Sequence, residues 1–252
     1  MTEVFILSLI QGITEFLPIS SSSHLILGSE YLNFKNQSLT IDVSLHIGSF
    51  IGVLVYFNKD ILDFIKNRKL FLKILISSLP VMLVGFILVE TNLINKLRNL
   101  TVIGWTTIIF GILLYIGDRF HLEKNIDKDF NYKSAIIIGF CQILSLVPGV
   151  SRSGITITAA RILNFKRYDS AKISFLLSIP TLGAVSLFGL HNLIQEESLS
   201  FTLLSLLSIF FSFIFSFITI KYFLIFIKKF NLSVFVIYRI LLGILLLSIA
   251  YL

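Results

Sequence analysis

Charged residues and cysteine are scarce in this sequence. Asp, Glu, Lys and Arg make up 14% of the 252 residues, whereas 56% are hydrophobic. Soluble domains carry about 25% charged residues. With a mean hydropathy of +0.92, the chain is not expected to form a water-soluble fold. Its single cysteine, Cys141, excludes a disulfide framework and a cysteine metal site.

Several sequence motifs are also missing. There is no phosphate-binding loop of nucleotide hydrolases, no His-x-x-Glu-His pattern and no pair of metal-binding histidines. Nucleotide hydrolysis and zinc hydrolysis therefore have no support. The N-terminal residues Met1, Thr2 and Glu3 provide neither a basic region nor a cleavage site, so we expect the first apolar segment to remain in the protein.

Long apolar runs dominate the chain, and six of them approach the roughly 20 residues that cross a hydrocarbon core. They predict an all-α polytopic membrane protein with one membrane domain. The predicted spans cover residues of about 42–57, 71–90, 100–118, 172–191, 200–227 and 231–252.

Two further segments, 2–29 and 134–164, are apolar runs interrupted by proline and a group of hydroxyl residues. Backbone leaves helical geometry at membrane depth only where protein or water satisfies its amides. We therefore predict that each segment is a re-entrant broken helix beside a polar cavity.

The positive charge lies in short loops between the apolar runs. The net charge of +7 therefore reflects topology and not nucleic-acid binding. With these loops in the cytoplasm, segment 134–164 enters and leaves on the cytoplasmic side, segment 2–29 enters and leaves on the outer side, and both termini face outward.

The two broken segments resemble each other. Residues 16–21 (FLPISS) match residues 146–151 (LVPGVS), and each broken segment is followed by three predicted spans. Three spans per half make the repeat inverted, with halves of about 1–118 and 134–252 joined by a polar linker, 119–133. Such repeats place their binding site where the broken helices meet near the midplane.

The first broken segment carries a candidate acid, hydroxyl and histidine cluster. Gln11 and Glu15 are four residues apart and share a helix face, and Ser20, Ser21 and His24 follow the proline. A carboxylate at membrane depth needs a partner or a cation. Three plainer interpretations remain: an interfacial acid, a hydrogen-bonded core histidine, and serines that cap or pack helices.

The second broken segment, 148–156 (PGVSRSGIT), sets Arg152 among hydroxyl and glycine residues. Glycine permits close backbone approach, a helix N-terminus offers free N–H groups, and the guanidinium matches phosphate oxygens. The pattern indicates an anion site. An interfacial arginine that touches lipid headgroups is the alternative.

These segments resemble the signatures of a known family. Residues 11–24 (QGITEFLPISSSSH) are similar to the first signature of the bacterial undecaprenyl-diphosphatase family, and residues 148–156 to its second. The resemblance extends through residues 174–180 (SFLLSIP) and 238–240 (YRI). It implies a phosphatase that recycles the lipid carrier of cell-wall polymers, uses a divalent cation and confers bacitracin resistance.

The resemblance also implies roles for individual residues. It assigns catalysis to Glu15, Ser21, His24 and Arg152. It assigns substrate binding to Ser20, Gly149, Ser151, Ser153 and Thr156. The cation, Mg²⁺ or Ca²⁺, would be held by Glu15 and Gln11, where many members of the family have a second glutamate.

Two mechanisms are open at this stage. Ser21 attacks the diphosphate, which we favour, or it orients an attacking water, and His24 acts as general base or acid. A transporter or flippase of a lipid-linked phosphate is the alternative function. We expect a prenyl diphosphate lipid and membrane lipids as partners, no nucleic acid, and leave a homodimer open. The expected location is the bacterial inner membrane, with the active site facing outward.

Overall fold

The structure is a computed structural model that describes residues 1–21, 23–25, 38–66, 68–91, 97–120, 123–195 and 203–251. The described residues form helices and connecting turns, without strands. The helices are α1 (Thr2–Thr14), α2 (Leu39–Tyr56), α3 (Asn58–Lys66), α4 (Arg68–Glu90), α5 (Leu100–Asp118), α6 (Ile126–Asp129), α7 (Tyr132–Ile143), α8 (Arg152–Ile162), α9 (Arg167–Gln195), α10 (Leu203–Lys229) and α11 (Ser233–Tyr251).

The prediction of an all-α protein with six spans is confirmed, because six helices are long and apolar enough to cross a membrane: α2, α4, α5, α9, α10 and α11. The boundaries shift by a few residues. The largest shift is at α9, which begins at Arg167 and not near 172. Its first turns hold charged residues because Arg167 pairs with Asp118 and Lys172 pairs with Asp60 at 2.6 Å. Predicted span residues 200–202 and 252 lie outside the described residues.

Small residues bring α2 and α10 into close contact. A Cβ on Gly48 would lie 2.4 Å from the carbonyl oxygen of Ile209, so only glycine permits this approach. Ser212 Oγ donates to the Leu45 carbonyl at 2.7 Å, and Ser216 Oγ donates to Ser49 Oγ at 3.0 Å. Small residues and buried hydroxyls are the usual means of joining helices in a membrane.

Large apolar side chains cover much of the outer surface. Leu83, Phe86 and Leu241 are 64%, 58% and 63% exposed, respectively. An aqueous surface rarely carries such continuous apolar area. The six spans therefore face lipid, and the chain is a multi-pass membrane protein.

Asp118 connects the C-terminal ends of α5 and α8 with the N-terminal ends of α9 and α11. Its carboxylate accepts hydrogen bonds from Arg161 at the end of α8, from Arg167 at the start of α9 and from the Leu232 amide before α11. The linker 119–133 is not only polar, since its described residues Ile126 and Phe130 are buried in the main core.

Residues that follow each break pack near residues that precede it. Leu25 packs on a cluster that contains Val4 and Leu7 of α1, and Phe165, after α8, contacts Phe130, before α7, with ring centroids 6.1 Å apart. Residues 22 and 26–29 of the first predicted segment lie outside the described residues. The re-entrant course of both segments and the inverted relation of the two halves stay predictions.

Candidate functional site

Each broken segment changes direction at a serine with a positive φ. Ser20 has a φ of 76° and Ser151 a φ of 70°, and each precedes a helical residue. This region costs an L-residue roughly 1–2 kcal/mol, so the surrounding contacts must hold both turns. Ser151 also caps α8, because its Oγ accepts a hydrogen bond from the Gly154 amide at 3.1 Å.

A single buried arginine ties the two breaks together. Arg239 of α11 is 0% exposed and donates to the carbonyls of Pro18 at 3.3 Å, Gly149 at 2.9 Å and Val150 at 3.0 Å. Its Nε donates to the Thr107 carbonyl at 3.2 Å. The guanidinium therefore satisfies backbone groups that the breaks remove from helical hydrogen bonding.

A polar cavity lies between the two breaks, with a volume of about 160 Å³. Both segments contribute to its lining, which consists of Thr14, Glu15, Ser20, Ser21, Ser145, Ser151 and Arg152. The predicted meeting of the two broken segments at one cavity is therefore seen in the described residues.

Glu15 and Arg152 form an ion pair across this cavity. Arg152 Nη2 lies 2.7 Å from Glu15 Oε1, and the side chains are 13% and 9% exposed, respectively. The second carboxylate oxygen, Oε2, accepts hydrogen bonds from Ser21 Oγ at 2.9 Å and Gln11 Nε2 at 3.1 Å. The carboxylate is thus compensated by one charge and two neutral donors, as burial requires.

Ser21 points its hydroxyl proton at a base. The acceptor is the Glu15 carboxylate and not His24, to which the sequence assigned general acid or base chemistry. Ser21 lines the cavity beside Arg152. The Ser21 hydroxyl thus lies beside both an acceptor for its proton and a positive charge.

His24 is held by two other groups. Its Nδ1 lies 2.6 Å from the Ser20 carbonyl oxygen, and its Nε2 lies 2.5 Å from the hydroxyl of Tyr238 on α11. The two rings are nearly parallel, with centroids 5.6 Å apart and an angle of 8°.

Gln11 extends the site away from the cavity. It is 0% exposed, and its Nε2 also lies 3.2 Å from His46 Nδ1 of α2. Its Oε1 is buried and has no hydrogen-bond partner among the described residues. An orphaned amide oxygen beside a carboxylate is compatible with a hard cation, although the amide would have to turn its oxygen toward Glu15.

The remaining predicted residues lie behind the cavity wall. Ser153 Oγ donates to the Leu17 carbonyl at 2.7 Å, and Thr156 Oγ1 donates to Ser174 Oγ at 2.7 Å. The backbone of Gly149, with a φ of 90°, packs against Thr106. These three residues position the second break, and their direct contact with substrate stays a prediction.

Five residues at or around the site were not predicted as functional: Thr14, His46, Ser145, Tyr238 and Arg239. Ser145 and Thr14 are single hydroxyls in apolar runs and carry no distinguishing signal. His46 is a lone histidine in an apolar span, where packing is the commoner role. Arg239 did carry a signal of function, because an arginine within an apolar span is costly unless its guanidinium is hydrogen-bonded or paired with a charge.

The fold and the site together define a polytopic membrane protein with a charged, hydroxyl-rich cavity built from two broken helices. The family model described as "Bacitracin resistance protein BacA" matches residues 4–245. The chain therefore belongs to that family. This confirms the resemblance drawn from the two signatures.

Curated relatives support the same assignment. The chain is 49% identical over 250 residues to a protein of Pelagibacter ubique (strain HTCC1062), with 99% of this chain and 97% of the relative covered. It is 42% identical over 250 residues to a protein of Saccharophagus degradans (strain 2-40), with 94% and 93% covered. Both relatives are named undecaprenyl-diphosphatase.

Proposed function

We propose that this protein hydrolyses undecaprenyl diphosphate to undecaprenyl phosphate and inorganic phosphate. Its family and its relatives' names support this activity. The observation that carries the chemistry is the contact of Ser21 with Glu15 beside Arg152. Phosphoryl transfer needs a positioned nucleophile and positive charge on the non-bridging oxygens, and these residues provide both.

The substrate would compete with Glu15 for Arg152. Diphosphate oxygens are better partners for a guanidinium than one carboxylate oxygen, because they offer several acceptors and more charge. A carboxylate that loses its arginine partner holds a proton more strongly. Glu15 Oε2, which already accepts the Ser21 hydrogen bond, is then the acceptor for the Ser21 proton.

The first step is then attack of Ser21 Oγ on the terminal phosphorus. The Oγ–P bond forms, the bond from phosphorus to the bridging oxygen breaks, and undecaprenyl phosphate leaves with the bonding electrons. The Ser21 proton passes to Glu15. In the second step water attacks the phosphoserine, Glu15 returns the proton to Ser21 Oγ, and inorganic phosphate leaves.

A divalent cation, Mg²⁺ or Ca²⁺, would be held by the Glu15 carboxylate and the Gln11 amide oxygen. The buried Gln11 Oε1 without a described partner fits this role. When bound, the cation would neutralise charge on the diphosphate. The described residues contain no group of three acidic, histidine or cysteine side chains that could hold a metal, so substrate oxygens would complete the coordination, as is common for Mg²⁺.

We infer that the site opens toward the outer face of the bacterial inner membrane. Arg161 and Arg167 pair with Asp118 where helices α5 and α8 end and α9 begins, and the positive-inside rule assigns such an arginine-bearing end to the cytoplasm. The first broken segment, which is predicted to enter and leave on the outer side, would then open the site at the other face. The prenyl tail of the substrate would remain in lipid.

Phosphate release from a long-chain prenyl diphosphate tests the proposal. Purified protein in detergent is compared with Glu15→Gln, Ser21→Ala and Arg152→Ala, with and without a chelator. Ser248→Ala serves as the matched control, because Ser248 is exposed and bonds only to its own helix. Cation-dependent release that each site variant abolishes and the control retains is the expected result.

Acid quenching during turnover, followed by mass spectrometry of peptides, distinguishes the two mechanisms. Phosphate on Ser21 supports nucleophilic attack, whereas activity without it supports direct attack by water. Folded wild-type protein that releases no phosphate with any cation would overturn the phosphatase proposal. Lipid-transport assays would then test the transporter alternative.

A further inference from the structure

The hydrogen bonds of His24 define which ring nitrogen carries its proton. The Ser20 carbonyl only accepts hydrogen bonds, so Nδ1, 2.6 Å away, must be the donor. In the neutral imidazole Nε2 then has a lone pair. The Tyr238 hydroxyl, 2.5 Å from Nε2, is consequently the donor in that contact.

The backbone around both partners is fixed by the site itself. Ser20 is the turning residue of the first break, with a φ of 76°. Tyr238 precedes Arg239, whose guanidinium binds carbonyls of both breaks. The imidazole is therefore clamped between two elements whose relative position the breaks determine.

Tyr238 also lies at the surface of the bundle. Its side chain is 41% exposed, and the contact between its hydroxyl and Nε2 of His24 is exposed as well. A substrate phosphate or water that reaches Nε2 has to take the place of the phenol.

We propose that Tyr238 is a positioning residue for His24. Its hydroxyl orients the imidazole, whose proton the Ser20 carbonyl keeps on Nδ1. A water that takes the place of the phenol then meets the lone pair of Nε2, which accepts a proton as that water hydrolyses the phosphoserine. This role rests on the proposed phosphatase activity. In that step the water proton moves to Nε2, the water oxygen bonds to phosphorus, and the bond from phosphorus to Ser21 Oγ breaks. Oγ takes back the proton held by Glu15, and His24 passes its proton to the departing phosphate.

Tyr238→Phe removes the hydroxyl and retains the stacked ring. Small errors in the placement of a catalytic group cost up to about 100-fold in rate, so kcat for phosphate release should fall by about 10- to 100-fold. KM should change less than about twofold, because the lipid-facing ring remains and its apolar area is retained. Tyr222→Phe is the matched control, since Tyr222 is 62% exposed and its described ring contact is with Lys221.

Nitrogen-15 NMR of histidine-labelled protein gives a readout that does not depend on turnover. The His24 signals are assigned by their loss in His24→Ala. Wild type should show a protonated Nδ1 and an unprotonated Nε2. Tyr238→Phe should keep the proton on Nδ1, because the Ser20 carbonyl remains, and should shift the Nε2 signal, because its lone pair loses the phenol donor. Tyr238→Leu, which also removes the stacking, should show at least the same loss of kcat.

The outcomes separate the two proposals. An inactive wild type with the expected His24 tautomer overturns the phosphatase activity but leaves the structural assignment of Tyr238 intact. An active wild type whose kcat and His24 spectrum are unchanged in Tyr238→Phe overturns the positioning role. An increase in KM alone also overturns it, because Tyr238 would then act in substrate binding.

Discussion

The ion pair between Glu15 and Arg152 predicts that one substitution lowers both stability and activity, and that a second substitution restores only the stability. Arg152→Ala leaves the carboxylate buried without its cation. Two unit charges about 4 Å apart interact by ~4 kcal/mol at an effective dielectric constant of 20, and removal of one partner of a buried pair costs about 3–5 kcal/mol. Because Ser21 and Gln11 still donate to Glu15, we expect the lower end, about 3 kcal/mol.

The double variant Glu15→Gln, Arg152→Ala should recover most of this stability. The amide that replaces the Glu15 carboxylate is neutral and needs no cation. The loss of stability in the double variant should therefore be about 2 kcal/mol smaller than the sum of the losses in the two single variants. Phosphate release should nevertheless remain abolished in both variants, because the base and the anion-binding group are gone. Stability would return without activity.

The single cysteine provides the assay. Cys141 is half-buried, so a thiol-reactive fluorescent dye reports unfolding in detergent during heating. For a chain of about this size 1 kcal/mol corresponds to roughly 2–4 °C, and Arg152→Ala should lower the apparent melting temperature by roughly 6–12 °C. Arg98→Ala, at an exposed position, is the control and should change stability by less than about 0.5 kcal/mol.

Two results would refute this reasoning. The first is an Arg152→Ala variant that melts like wild type, which would mean that the carboxylate is solvated and needs no cation. The second is an additive double variant, which would mean that Glu15 and Arg152 do not interact in solution.

Three further predictions follow from the surrounding contacts. Arg239→Lys should lower the apparent melting temperature and abolish phosphate release, because an ammonium group cannot reproduce the guanidinium fork that binds four carbonyls. Gly149→Ala should prevent accumulation of folded protein, since its Cβ would lie 2.1 Å from Thr106 Oγ1 at a φ of 90°, whereas Gly183→Ala, with contacts of 3.4 Å or more, should fold. His46→Leu should reduce kcat/KM by about fivefold with little change in melting, because it removes a hydrogen bond worth about 1 kcal/mol from the site's glutamine amide.

The spans could be predicted closely because their cause is local. Apolar length alone defines 100–118, and α5 covers Leu100–Asp118. The start of α9 could not be predicted from hydropathy, because the charges of Arg167 and Lys172 count against a helix within the membrane. Their carboxylate partners, Asp118 and Asp60, come from distant parts of the chain.

The site was predictable to the extent that its residues interrupt apolar runs. Pro18 and Pro148 mark the two breaks, and both breaks line one cavity. The partner of each side chain was not predictable, because it depends on how the segments pack. Ser21 could have faced His24 as well as Glu15 from sequence alone, and only the structure assigns its proton to the carboxylate.

Charge at the breaks explains why this cavity suits an anion. Within the described part of the site, Arg152 and Arg239 contribute two positive charges and Glu15 one negative charge. Arg239 meets only carbonyl oxygens among its described partners, so its charge is solvated by dipoles and not neutralised by a carboxylate. The tips of both broken helices therefore carry a net positive potential at low dielectric. A diphosphate supplies the missing negative charge, and the negative charge that develops on the departing phosphate is stabilised by the same field.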